Sequence, residues 1–323
     1  MKKRKLGKSN IEIAPLALGG NVFGWTADEP TSFRLLDAFV DAGLNLIDTA
    51  DVYSVWVPGH QGGESETVIG NWLKRSGRRK DVIVATKVGN VMSPEKKGLS
   101  KSYILRAVED SLRRLQTDSI DLYQSHVDDP ATPIEETLEA YAELVKAGKV
   151  REIGASNFTA ERLTASLQIS KERGYPSYIS LQPQYNLVER ADYEANLEPV
   201  CVLNGIGVIP YFGLASGFLT GKYRSEADLS KSPRGARVQK YLDERGLRVL
   251  AALDEVSKTL SSTPARVALA WLMARSSITA PIASATNVDQ LKDLVAATEL
   301  KLDGDSIDIL NRASTPAPAV ATA

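Results

Sequence analysis

Four side chains in this 323-residue chain are suited to moving a proton, and each lies at or just beyond the end of an apolar run: Asp48, Tyr53, Lys87 and His126. In LNLIDTADVY (44–53), Leu44, Leu46 and Ile47 lead directly into Asp48, and Tyr53 follows five residues later. A carboxylate at the end of a buried strand costs roughly 2 kcal/mol or more unless a partner holds it. VIVATK brings Lys87 to the end of the next apolar run, and IDLYQSH brings His126 to the end of the one after. A buried lysine without a counter-ion loses its charge, so Lys87 beside Asp48 lets both stay ionised. That ammonium also favours the phenolate of Tyr53, which lowers its pKa from about 10. A phenol so placed can donate a proton to an oxygen that is becoming an alkoxide, and His126 can hydrogen-bond the same oxygen. The same residue types have plainer uses. An Asp–Lys pair at a strand end also serves as a structural ion pair, and a histidine there also closes a backbone hydrogen bond.

The three runs belong to a longer alternation. Short apolar segments occur at 14–20, 44–50, 81–87, 119–126, 151–157, 178–186, 205–212 and 278–285. Between them, helical spacing occurs at 32–43, 64–76, 100–115, 134–148 and 159–174, with Ser100 and Thr159 placed as N-caps. Alternating strands and helices require parallel strands joined by helical crossovers. Eight such strands close into a barrel, whereas an open doubly wound sheet usually has fewer. The expected fold is therefore α/β, a (β/α)8 TIM barrel, with an N-terminal β-hairpin around Lys8-Ser9-Asn10 and an insertion after strand seven at 222–260. Residues 1–315 are expected to form a single domain and 316–323 a fraying tail of small residues and proline. A barrel carries its active site at the carboxyl ends of its strands, which is where the four residues fall.

Composition excludes several classes of function. A net charge of −1 offers no basic excess for nucleic acid or anionic lipid. The single cysteine, Cys201, allows no intrachain disulfide and fits a reducing compartment. MKKRK opens like the basic part of an export signal, yet no apolar run follows, and no segment is long enough to span a membrane, so a cytoplasmic location is expected. With only His60 and His126, the chain is poor in ligands for a metal-dependent hydrolase on a barrel, and no metal is expected.

Taken with GASNF (154–158), LQPQYN (181–186) and LASGFLTGKY (214–223), the four rim residues resemble the aldo-keto reductase superfamily from about residue 3 to about residue 300. The long insertion is similar to that of bacterial reductases of the potassium-channel β-subunit type. The resemblance implies reversible hydride transfer between a nicotinamide cofactor and a carbonyl or alcohol. Tyr53 would be the general acid in reduction, Lys87 and Asp48 would tune it, and His126 would orient the carbonyl. Ser156, Asn157 and Gln182 would hold the nicotinamide carboxamide, which needs both donors and acceptors, and Tyr211 would stack on the ring. Gly20, Asn21 and Asp48 are further cofactor contacts by the same resemblance. Phe212, Gly213, Leu214 and Ser216 would meet the pyrophosphate with backbone amides and a hydroxyl. This stretch is not a P-loop, since Ser216 stands where that motif needs glycine and Tyr223 where it needs Ser or Thr.

Lys222 and Arg234 match positions that grip a ribose 2′-phosphate, and Thr286, Gln290 and Asp293 match adenosine contacts. NADP(H) is thus the expected cofactor and NAD(H) the alternative, because ATNVDQ (285–290) supplies no cation after strand eight. The insertion is expected to fold over the bound cofactor. Trp25, Val52, Trp56 and the 55–63 loop, with Tyr53 and His126, are expected to line the wall of a site for aldehydes or ketones, large or polycyclic ones included. Asn21 stands where relatives often carry a tryptophan. Two other readings share the fold: an NADPH-binding, redox-sensing partner protein with little turnover, and an NAD-dependent alcohol or sugar dehydrogenase. The start of the chain close to the first barrel strand is expected of the enzyme.

Overall fold

The computed structural model describes residues 2–231 and 235–316. The chain opens with an antiparallel hairpin, β1 (Arg4–Lys5) against β2 (Glu12–Ile13). Ser9 makes the turn: its Oγ donates to the Leu6 carbonyl at 2.7 Å and accepts from the Ile11 N–H at 3.1 Å. Eight parallel strands follow: β3 (Ala17–Gly19), β4 (Leu46–Asp48), β5 (Ile83–Val88), β6 (Ile120–Ser125), β7 (Val150–Ser156), β8 (Tyr178–Gln182), β9 (Gly207–Val208) and β10 (Ile282–Ala283). They neighbour one another in chain order, and β10 pairs back onto β3. The remaining gap is bridged by Thr279 N–H to the Val208 carbonyl and Ile282 N–H to the Pro210 carbonyl, each 2.8 Å. The sheet therefore closes as a (β/α)8 barrel, with every strand where an apolar run stands in the sequence.

The crossovers are α1 (Glu29–Asp41), α2 (Glu64–Ser76), α3 (Lys101–Leu115), α4 (Ile134–Lys146), α5 (Ala160–Arg173) and the short α6 (Glu198–Asn204). After β9 the insertion contributes α7 (Gly235–Val238) and α8 (Glu244–Thr259) before the crossover α9 (Pro264–Ala274). The chain then adds α10 (Val288–Ala297) and α11 (Gly304–Ser314). Helix α11 packs on α8, and Arg190 fastens its end by donating from Nη1 to the Asn311 carbonyl (3.1 Å) and to Ser314 Oγ (2.7 Å). Thr159 caps α5 through its side chain, accepting from the Arg162 N–H at 3.2 Å. Ser100 occupies the cap position of α3 but makes no capping bond; Glu136 of the neighbouring α4 accepts from the Lys101 N–H at 2.9 Å instead. The N3 amide, Tyr103 N–H, donates to the Ser100 carbonyl at 3.0 Å. Of the proposed tail, Pro316 is described and 317–323 lie outside the described residues.

Strand parity sorts the barrel interior into layers. Leu46, Ala85 and Leu122 point inward and join Leu6, Ile11 and Ile13 of the hairpin in an apolar cluster separate from the outer core. The hairpin is thus a plug for the amino-terminal end. Two residues further along the same strands, on the same inward face, stand Asp48, Lys87 and Gln124, all buried. Alternate residues such as Ile47, Val84 and Tyr123 face outward into the helical layer.

Gly7 lets the plug seat. It has a φ of +58°, and a Cβ there would lie 2.2 Å from the Ile179 carbonyl oxygen. Gly7→Ala is expected to lose at least about 1 kcal/mol in urea unfolding; an unchanged midpoint would show that the hairpin does not seal the barrel by close backbone approach.

Candidate active site

Asp48 is the hub of the polar layer. Its Oδ2 accepts from Lys87 Nζ at 2.8 Å and from the Tyr53 hydroxyl at 3.4 Å. Its Oδ1 accepts from Gln182 Nε2 at 2.8 Å and from Gln124 Nε2 at 3.4 Å. Lys87 Nζ spends its other two donors on the Thr49 carbonyl (2.8 Å) and the Tyr53 hydroxyl (2.9 Å). The lysine side chain is wholly enclosed, and the Asp48 carboxylate nearly so. Such a pair is tolerated because every donor of the ammonium has a partner. The His126 ring meets that of Tyr53 edge-on, with centroids 6.0 Å apart.

Burial holds Lys87 below the usual lysine range, an effect opposed chiefly by the charge of Asp48. The expectation that Lys87 brings the pKa of Tyr53 below its ordinary value does not survive. Burial, followed by the charge and hydrogen bond of Asp48, pushes the phenol well above its ordinary value. The ammonium is committed to Asp48 as well as to Tyr53, so the phenol faces a neutral pair in a dry site and keeps its proton. Burial, and secondarily Lys87, holds His126 well below the usual histidine range, so its ring is neutral. Its Nδ1 is enclosed without a partner, which leaves Nε2 as the nitrogen able to meet a ligand.

Tyr53 and His126 open onto a cavity of about 970 Å³ that runs from Trp25 and Trp56 at one end to Lys222, Lys231 and Arg237 at the other. Ser156, Asn157, Gln182 and Tyr211 line its middle. Ser156 Oγ donates to the Gln182 carbonyl (2.8 Å), Asn157 Nδ2 to Ser156 Oγ (3.0 Å), and the Tyr211 hydroxyl to Asn157 Oδ1 (2.8 Å). Beyond them Phe212, Gly213, Leu214 and Ser216 border the cavity. Phe212, Ala215, Ser216 and Gly217 have φ of 54°, 47°, 58° and 98°. These left-handed residues curl the backbone sharply where it borders the cavity, a geometry that can present N–H groups to an anion. Thr286, Gln290 and Asp293 complete the far wall, Asp293 in an ion pair with Arg266 at 2.6 Å. A cavity of this volume, lined by amide-pairing groups, a left-handed backbone turn and cations, fits a dinucleotide.

Several expectations shift. Gly19, not Gly20, borders the cavity. Asn21 does line the cavity, its Oδ1 accepting from Ser284 Oγ at 2.6 Å. Val52 is buried in packing and is not part of the wall, and of the 55–63 loop only Trp56 reaches it. Trp25 and Trp56 meet edge to face at 5.6 Å, and Trp56 meets Tyr53 at 6.1 Å, forming an aromatic rim. Arg234 lies outside the described residues, while Lys231 and Arg237, overlooked in the sequence, line the same end as Lys222. Gln124 was also missed, although it shares strand parity with Leu122 and His126; counting back by two from His126 finds it.

Residues 15–315 match the model of the aldo/keto reductase family. An uncharacterized oxidoreductase, YrpG, of Bacillus subtilis is 37% identical over 95% of this chain and 94% of its own length. The aldo-keto reductase YhdN of the same organism is 34% identical, covering 94% of this chain and 89% of its own. A probable voltage-gated potassium channel subunit beta of Arabidopsis thaliana is 30% identical over 93% and 92%.

Outside the barrel wall, behind Lys87, Asp51 is 2% exposed and neither carboxyl oxygen has a hydrogen-bond partner. Its charged neighbours are Glu66 of α2, Arg114 of α3 and Lys87 of β5. Glu66 takes the available bonds, from Thr86 Oγ1 at 2.6 Å and Arg114 Nε at 2.7 Å. Burial, then the charge of Glu66, pushes Asp51 well above the usual carboxylate range. The folded chain therefore holds a proton that the unfolded chain, with a carboxyl pKa of about 3.9, releases, so stability falls as pH rises above that value. Asp51→Asn has no such proton to hold. Its denaturation midpoint is expected to shift in its favour relative to the parent between pH 4 and pH 7.5; an offset constant with pH would show that Asp51 ionises alike in both states.

Proposed function

The chain belongs to the aldo/keto reductase family of oxidoreductases, and from that premise we propose that it reduces aldehydes or ketones with NADPH, using Tyr53 as the proton donor. The observation that carries the reading is the bonding of one enclosed ammonium, Lys87 Nζ, to both Asp48 Oδ2 and the Tyr53 hydroxyl at the wall of a cavity long enough for a dinucleotide.

The cofactor, when bound, supplies the hydride. The chain's own residues do the rest. A carbonyl oxygen between Tyr53 and His126 receives one hydrogen bond from the phenol and one from the neutral imidazole at Nε2. As negative charge develops on that oxygen, the Tyr53 proton moves to it. The phenolate that forms stands 2.9 Å from Lys87 Nζ, so the ammonium stabilises the product of the transfer more than the resting phenol. Asp48 keeps Lys87 charged throughout. Ser156, Asn157 and Gln182 suit the nicotinamide carboxamide, Tyr211 the ring, and the 212–217 turn the pyrophosphate. Lys222, with Lys231 and Arg237, suits a 2′-phosphate, which favours NADPH over NADH. Trp25 and Trp56 beside Tyr53 favour aromatic or bulky apolar carbonyl compounds. A cytoplasmic setting accords with the single, buried Cys201. The relative named as a probable channel subunit favours a second reading, a partner protein with little turnover of its own.

Purified protein is expected to oxidise NADPH with aromatic aldehydes, and Tyr53→Phe to lower kcat about 100-fold or more while still binding NADPH. Tight NADPH binding without turnover on any carbonyl compound would instead support the second reading. Lys222→Ala and Arg237→Ala should each weaken NADPH binding about tenfold or more, the worth of a charge-assisted hydrogen bond, and leave NADH binding unchanged. Equal losses for the two nucleotides would place these cations away from the 2′-phosphate.

A further inference from the structure

Gln124 is fully buried inside the barrel, on β6 between Leu122 of the apolar floor and His126 at the rim. A leucine there would extend the floor, whereas an enclosed amide is costly unless hydrogen-bonded. Its bonds all run to the site. Gln124 Nε2 donates to Asp48 Oδ1 at 3.4 Å, and its Oε1 accepts from Gln182 Nε2 at 3.3 Å. Gln182 Nε2 also donates to Asp48 Oδ1 at 2.8 Å. A carboxylate only accepts, so both amide nitrogens must face Asp48. Asp48 and Gln124 together engage both hydrogens of the Gln182 amide, and what Gln182 has left for the cavity it borders is its carbonyl oxygen. Space for this arrangement comes from Gly154, paired with Gln124 in register; a Cβ there would lie 3.1 Å from Gln124 Cγ.

We propose that Gln124 is a positioning residue that fixes Gln182 as a pure acceptor toward the cavity, so that the site selects a ring bearing a primary carboxamide over one that lacks its N–H. This rests on the reading of the cavity as a nicotinamide dinucleotide site. Without Gln124, one hydrogen of the Gln182 amide loses its acceptor, the amide is free to turn, and the preference for the carboxamide fades. A leucine in its place matches the apolar floor but leaves Asp48 Oδ1 and the Gln182 amide each one partner short.

The test compares dissociation constants, by tryptophan fluorescence, for NADP+ and its 3-acetylpyridine analogue, in which a methyl replaces the amide nitrogen. The parent is expected to prefer NADP+ about five- to tenfold, the worth of one hydrogen bond. Gln124→Leu should lose most of that preference while still binding NADP+. Gln124→Glu should keep the preference at pH 5.5, where the protonated acid can donate to Asp48 and accept from Gln182. At pH 8.5, with two carboxylates side by side, it should lose it. A Gln124→Leu protein that keeps the parental preference overturns the proposal, whatever its stability. So does a parent that binds both nucleotides equally. A parent that binds neither overturns the dinucleotide reading itself.

Discussion

A charged lysine with no exposure to water sits inside this barrel, and most of what surrounds it follows from keeping it charged. Lys87 has three donors and each has an acceptor: the Asp48 carboxylate, the Thr49 carbonyl and the Tyr53 hydroxyl. Removing one partner of such a pair leaves an uncompensated buried charge, the costly case. Asp48 in turn needs acceptors' counterparts on its second oxygen, and Gln182 and Gln124 supply them. The catalytic chemistry proposed for Tyr53 is one consequence of this constraint, and the fixed orientation of the Gln182 amide is another.

The barrel makes the constraint affordable by separating layers. Below the polar layer lies an apolar floor of Leu46, Ala85 and Leu122, sealed from the amino-terminal side by Leu6, Ile11 and Ile13 of the hairpin. Water is excluded from beneath, so the ammonium has no solvent to fall back on and its geometry is fixed by protein atoms. Above, the loops open the site to a cavity that reaches the insertion. Behind the wall a second buried acid, Asp51, stands beside Glu66 and Arg114 without bonds of its own.

Much of this was legible beforehand. The eight strands announced themselves as short apolar runs, and Asp48, Lys87 and His126 stood out because each charge or ring interrupts such a run at its end. Gln124 was hidden because an uncharged amide inside IDLYQSH does not break the hydropathy pattern. Arg237 was hidden because its relevance depends on where the insertion lands. Gly19 and Gly20 stand together in the sequence, and only the fold shows that it is Gly19 that borders the cavity. Ser100 caps α3 by position, as its place in the sequence indicates, while the bond from Lys101 to Glu136 of another helix depends on the fold.

The sequence by itself determined the alternation of strands and helices, hence the barrel, and the identity of the acid, base and aromatic groups at its rim. These are properties of local spacing: period two along a strand, period near four along a helix, and a polar residue where an apolar run stops. Tertiary structure alone decided that the phenol of Tyr53 is held up rather than down, that the Gln182 amide has a single orientation, and that Lys231 and Arg237 join Lys222 at the far end of the cavity. Each of these depends on distances between residues remote in the chain and on the exclusion of water from between them, and neither quantity is written in the order of the residues.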